Sequence, residues 1–143
     1  MLLGLMSCQP IRFFDDTPLI EFKSIEPGVV REGIDSLVIV FTFKDGDGDL
    51  GLEPGDTTND ITVIDRRKGL PDFGDIEYPF RLPFITPPGQ SKQISGEIRL
   101  VIENTFRRPG LLQDTAFYYI KIRDRQNRFS NEIVSTPVII IAP

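Results

Sequence analysis

Hydrophobic and polar positions along this chain alternate in short runs with a period of two, the pattern of strands whose successive side chains face opposite sides of a sheet. The clearest run is Ser36–Phe43, where Leu37, Ile39, Phe41 and Phe43 fall on one face. Burying such side chains contributes about 1.5–3 kcal/mol each, so this strand fixes the position of whatever follows it. Leu19–Ile25 sets Ile20 and Phe22 against Glu21 and Lys23, and Lys92–Asn104 sets Ile94, Ile98, Leu100 and Ile102 against Glu97, Arg99 and Glu103. Thr115–Arg123 places Tyr118, Ile120 and Ile122 together; residues 111–136 hold no Gly or Pro, but the alternation and the β-branched and aromatic content predict a strand. Ile61–Ile64 is a shorter strand, and Asn131–Ile141 closes the chain with Pro137 expected to bend it or move it between sheets. The stretch Arg66–Ser91 is dense in Gly and Pro, so strands at Ile76–Leu82 and Phe84–Thr86 belong at a sheet edge.

About seven strands, turn signals between them and no helix pattern predict an all-β fold, a single immunoglobulin-like antiparallel β-sandwich over residues 19–143. A chain of 143 residues suits one core rather than two. With Ser36–Phe43, Ile61–Ile64, Lys92–Asn104 and Thr115–Arg123 as strands B, C, E and F, the B–C and F–G loops share one end of the sandwich.

The B–C loop carries the chemistry. Strand B runs into Lys44-Asp45-Gly46-Asp47-Gly48-Asp49-Leu50-Gly51, a carboxylate at every second position with glycines between to let the backbone curl. Two like charges about 4 Å apart cost roughly 4 kcal/mol at an effective dielectric near 20, so converging aspartates need a counter-charge. Asp45, Asp47, Asp49 and Asp56 fall at the first, third, fifth and twelfth places of an EF-hand loop, but Leu50 stands where its glycine belongs and no helix flanks it. The expectation is a calcium loop on a β scaffold, with Asp45, Asp47 and Asp49 as ligands and Glu53, Asp56 or Asp60 completing the shell. Asp124 or Asn127 in the F–G loop is placed to reach the ion from the far side. The other reading of the loop is a solvated Asp-Gly turn.

Composition narrows the rest. Acidic residues outnumber basic ones, 21 to 16, for a net charge of −5, which argues against nucleic acid. Histidine and tryptophan are absent, removing the commonest general base, and clustered aspartates suit a cation better than a separated acid–base pair. No enzyme activity is expected; a carboxylate-based glycoside hydrolase is the weakest alternative. Phe73, Tyr78, Phe80 and Phe84 lie among prolines, either as a platform for a glycan or peptide or as packing beneath long loops.

The single cysteine, Cys8, excludes an intrachain disulfide. It ends the apolar run Met1-Leu2-Leu3-Gly4-Leu5-Met6-Ser7-Cys8, in which Leu5-Met6-Ser7-Cys8 resembles a bacterial lipobox. The run is short for a leader and lacks basic residues, so the expectation is a start codon assigned too far downstream. Residues 1–8 therefore read as a truncated lipoprotein leader with Cys8 as the lipid-bearing residue, and 9–18 as a tether. The ending Tyr119–Asn131, with its Asp-x-x-Asn turn (here Asp124-Arg125-Gln126-Asn127) leading into Ser130-Asn131, resembles the last hairpin of bacterial Ig-like modules. With the lipobox and Asp-Gly-Asp-Gly-Asp-Leu-Gly, the whole chain resembles small lipoproteins of Bacteroidota-type bacteria with an immunoglobulin-like or fibronectin-III-like domain. That resemblance implies a non-catalytic cell-envelope module, outer-membrane-anchored through lipid, with a glycan or protein ligand. A plain spacer or assembly subunit without metal is the alternative.

Overall fold

The computed structural model describes residues 14–67, 74–85 and 91–143. Cys8, Phe73, the leader and most of the tether lie outside the described residues. The strands are β1 (Leu19–Glu26), β2 (Val29–Arg31), β3 (Leu37–Asp45), β4 (Ile61–Asp65), β5 (Ile76–Phe80), β6 (Ile94–Ile102), β7 (Gln113–Ala116), β8 (Tyr118–Ile122), β9 (Ile133–Val134) and β10 (Val138–Ile141), with no helix among the described residues.

One layer has the order β1-β3-β6. The other is built from β5-β4-β8-β9 and β2-β10-β7, in which β7 and β8 are two halves of one strand line and β9 and β10 two halves of the next. This is an immunoglobulin-like β-sandwich, with β3, β4 and β6 as strands B, C and E and β7–β8 as F. The inner faces of both layers contribute to one apolar core, including Val30, Leu37, Ile39, Phe41, Val63, Tyr118, Ile120, Ile122 and Ile140.

Ten strands stand where about seven were expected, for local reasons. The F line breaks at Phe117 and the G line between Val134 and Val138, where Pro137 has no N–H for the ladder. Two serines flank β9 and tie the G line to F. Ser135 Oγ accepts the Tyr118 N–H at 3.0 Å while its own N–H donates to the Tyr118 carbonyl at 2.9 Å, and Ser130 does the same at Ile122 with the same distances. The G line thus bends at Pro137 yet stays beside F, β9 on β8 and β10 on β7. Strand β2, not foreseen from the sequence, pairs parallel with β10, whereas every other pairing of named strands is antiparallel. Phe84 and Ile85, expected in an edge strand, carry none.

Register fixes which groups meet. Ile61 of β4 opposes Ile122 of β8 and Asp65 opposes Tyr118. The loop entering β4 and the loop leaving β8 therefore lie at one end of the sandwich, and Asp65 and the start of the F line at the other.

Candidate metal centre

Strand β3 delivers the first acidic group. Its core face runs Leu37, Ile39, Phe41, Phe43, and the same period carries Asp45 onto that face as the last residue of the strand, fully buried. Leu50 and Leu52 return the loop to the core a few residues later. Gly48 takes φ of 73°, the left-handed conformation that lets the chain double back. Gly46 serves by its missing side chain, since a Cβ there would lie 2.5 Å from the Phe14 carbonyl oxygen. The N-terminal stretch is laid against the loop at that point, with the Gly46 N–H donating to the Asp15 carbonyl at 2.7 Å.

Asp45, Asp47 and Asp49 come together: one oxygen from each lies within 4.8 Å of the others. The two oxygens of each carboxylate have different fates. Asp45 Oδ2 accepts the Asp49 N–H at 3.1 Å. Asp47 Oδ2 accepts from Arg128 Nη2 and from Gln126 Nε2, the latter at 3.4 Å. Asp49 Oδ2 accepts from the same Arg128 nitrogen at 3.4 Å. Oδ1 of all three is buried with no hydrogen-bond partner. A buried anionic oxygen left unpaired is costly, and three at one point mark the place for a group that accepts electron pairs from oxygen. The cluster can hold a metal ion, and its all-oxygen donor set suits a hard cation.

The F–G loop meets the B–C loop here. The Arg125 N–H donates to the Asp49 carbonyl at 3.1 Å, and the Arg125 guanidinium lies over the Phe84 ring at 4.8 Å. Asp124 is fully buried, but its oxygens are engaged within its own loop: Oδ1 accepts the N–H groups of Gln126 and Arg128 at 2.9 and 2.8 Å, and Oδ2 accepts Arg128 Nε at 2.7 Å. Asp124 thus aims Arg128, and Arg128 holds the outer oxygens of Asp47 and Asp49. Asn127 adopts φ of 61° and its Oδ1 accepts from Arg123.

The electrostatics record the crowding. Burial, then the charges of Asp47 and Asp49, push the Asp45 carboxyl up to about 7. Burial, the close approach of Asp47 and the charge of Asp124 push Asp49 up to about 6. Burial works against ionisation of Asp47 too, but the neighbouring Asp49 carboxyl and the bond from Arg128 outweigh that and lower it. Four carboxylates are thereby gathered around one bonded guanidinium.

The remaining sequence candidates lie apart from this cluster. Glu53 and Asp56 are exposed, and Asp56 Oδ1 closes a local turn by accepting the N–H and hydroxyl of Thr58. Asp60 is buried and accepts the Leu82 N–H at 2.7 Å. Among the aromatics, Tyr78 and Phe80 are partly buried against the core, Tyr78 edge-on to Tyr118, and Phe84 lies beneath Arg125. Sequence reasoning missed Arg128 and the Phe14–Asp16 stretch; an arginine four residues after Asp124 in a loop facing three aspartates was the available signal for the first.

The opposite end holds a second set of buried ions. Arg67 is bidentate on Asp65 and reaches Asp114 Oδ2 at 2.6 Å, while Arg108 is bidentate on Asp114. Burial raises Asp65 in spite of Arg67. Burial opposes ionisation of Asp114 as well, but the bonds from Arg108, Arg67 and two backbone N–H groups hold it well below the usual carboxylate range. Here two acids face two bases and each carboxylate oxygen is bonded. Comparison of the chain with protein-family models, with curated proteins and with solved structures finds no match, so the site is read from its own geometry.

Proposed function

We propose that this chain is a non-catalytic, lipid-anchored module of the bacterial cell envelope, in which calcium held by Asp45, Asp47 and Asp49 rigidifies the B–C loop. The observation that carries this reading is the set of three buried Oδ1 oxygens without partners. Calcium is favoured over softer metals because every candidate donor is oxygen, and extracellular sites of about 10⁻⁴–10⁻³ M affinity fill at external calcium levels. The loop reaches the F–G turn through Asp49 and Arg125, and the N-terminal stretch through Gly46 and Asp15. An ion drawing the aspartates together would hold three segments at once: the two apical loops and the tether leading toward Cys8. Membrane attachment through Cys8 rests on the lipobox and on the resemblance to small Bacteroidota-type lipoproteins. The apical loops are then the surface that calcium readies for a glycan or protein ligand.

Arg128 supports a second reading, a plain spacer without metal, because it supplies part of the neutralisation by itself. Hydrogen exchange separates the two. With calcium, the amides of Gly46–Asp49 and Arg125–Arg128 exchange more slowly than in chelator; equal exchange favours the spacer. The anchor is tested by feeding cells an alkyne-tagged fatty acid, with label expected on the full chain and lost in Cys8→Ala.

A further inference from the structure

The three sheets end in six edge strands among the described residues: β1 and β6, β5 and β9, and β2 and β7. Unpaired backbone donors and acceptors along an edge invite another strand, and folded proteins blunt such edges. Five of the six are short or blunted. Strand β1 has a register shift between Phe22 and Ser24, and the Asn131 side chain takes both the N–H and the carbonyl of Ile20, at 2.9 and 2.8 Å. Strand β5 carries Pro79, and β2, β7 and β9 have only 3, 4 and 2 residues. Strand β6 differs: 9 residues without proline, in unbroken register with β3 from Ile94 to Ile102, with no backbone hydrogen bond from a described residue on its outer edge. Described residues 81–85 make no backbone hydrogen bond to β6, and a cavity of about 280 Å³ is lined by Leu82, Pro83 and Ile85 together with Ile98, Arg99 and Leu100.

The exposed face of β6 says what fits. Glu97 and Arg99 point outward on the same face; Glu97 pairs with Lys23, and Arg99 has no ion pair among the described residues. We infer that β6 pairs antiparallel with β6 of a second copy of this chain, about a two-fold axis at Ile98. That register alone sets Glu97 of each copy opposite Arg99 of the other, making two opposite-charge pairs. Centring on Glu97 or on Arg99 would oppose like charges, so charge selects the register. The pairing joins β1-β3-β6 of both copies into one six-stranded sheet. An edge about 30 Å long buries less than a standard interface, so the association is weak and concentration-dependent.

Sedimentation equilibrium on the full chain, from about 10 µM to about 1 mM, tests this. The weight-average mass is expected to climb toward twice the monomer. Arg99→Glu, which sets glutamates against each other twice, is expected to weaken association at least about tenfold, and Glu97→Arg with Arg99→Glu to restore it. Melting midpoints confirm that each variant is folded. A wild-type chain that stays monomeric, including one that takes up an added β-forming peptide instead, overturns the inference. So does association that ignores Arg99→Glu, or a folded double variant that remains monomeric.

Discussion

Where β4 ends and the F line begins, Asp65 and Asp114 sit in the interior with Arg67 and Arg108, two acids against two bases, their oxygens all bonded. Where β3 ends, Asp45, Asp47, Asp49 and Asp124 gather around Arg128, and three oxygens remain without a partner. Both clusters bury aspartates, so burial of carboxylates alone does not distinguish a structural ion network from a ligand site. Charge balance and the fate of each oxygen do. A closed network leaves no carboxylate oxygen without a bonded donor, whereas an open one keeps unpartnered oxygens where the carboxylates converge.

The largest predicted effect breaks the closed network. Arg67→Met leaves Asp65 without its partner and Asp114 with one fewer in a dry interior, and is expected to destabilise the protein by about 3–5 kcal/mol in urea unfolding, equally with calcium and with chelator. The open cluster responds with the opposite sign. Asp45→Asn removes a crowded buried charge, so in chelator at pH 8 this variant is expected to match wild type or exceed it by about 1–2 kcal/mol, and to gain no stability from calcium. Arg128→Met sharpens the contrast further. It withdraws the guanidinium that bonds the Asp47 and Asp49 carboxylates, lowering stability in chelator by about 1–3 kcal/mol while enlarging the calcium-dependent gain, read as the difference between melts with and without the ion.

The pH profile separates the two ends by sign. Asp45 and Asp49 are raised, to about 7 and about 6, above the unfolded value near 4. Their contribution to stability is complete below about pH 4 and is lost as pH rises through about 6 to 7, so metal-free protein should weaken across that window. Asp114 is lowered, so its contribution is present above about pH 4 and is lost only as strong acid protonates it. Urea midpoints in chelator should therefore fall between pH 5 and 8, and Asp45→Asn should flatten that fall. Smallest is Gly46→Ala, whose new Cβ meets the Phe14 and Asp15 backbone; a loss of about 1 kcal/mol and faster proteolysis in the N-terminal stretch are expected, without change at the Arg67 end.

Much of the fold is legible because strands advertise themselves by period: Leu37, Ile39, Phe41 and Phe43 specify β3, and carrying the count one step further puts Asp45 on the same buried face. The B, C, E and F assignments bring the two apical loops together, as Arg125 and Asp49 show. What escapes the pattern is set by tertiary contact. Val29–Arg31 is too short to show alternation and becomes a strand only because β10 lies beside it. Asp124 reads as a ligand by its place in the F–G loop, and both its oxygens accept from Arg128 or the loop backbone, a local bonding that spacing does not reveal. The aromatics of the proline-rich stretch read equally as platform or packing, and Tyr78 and Phe80 are drawn against the core.

The central claim, that the open cluster is completed by a divalent cation, is tested most directly by melting the chain across a calcium titration, with Asp45→Asn beside it. At a calcium concentration about a hundredfold above the dissociation constant, wild type should gain about 2.7 kcal/mol, a rise of roughly 8 °C for a domain of this size, and the variant none. An unchanged wild-type midpoint up to about 10 mM calcium, above the range in which extracellular sites fill, would contradict it.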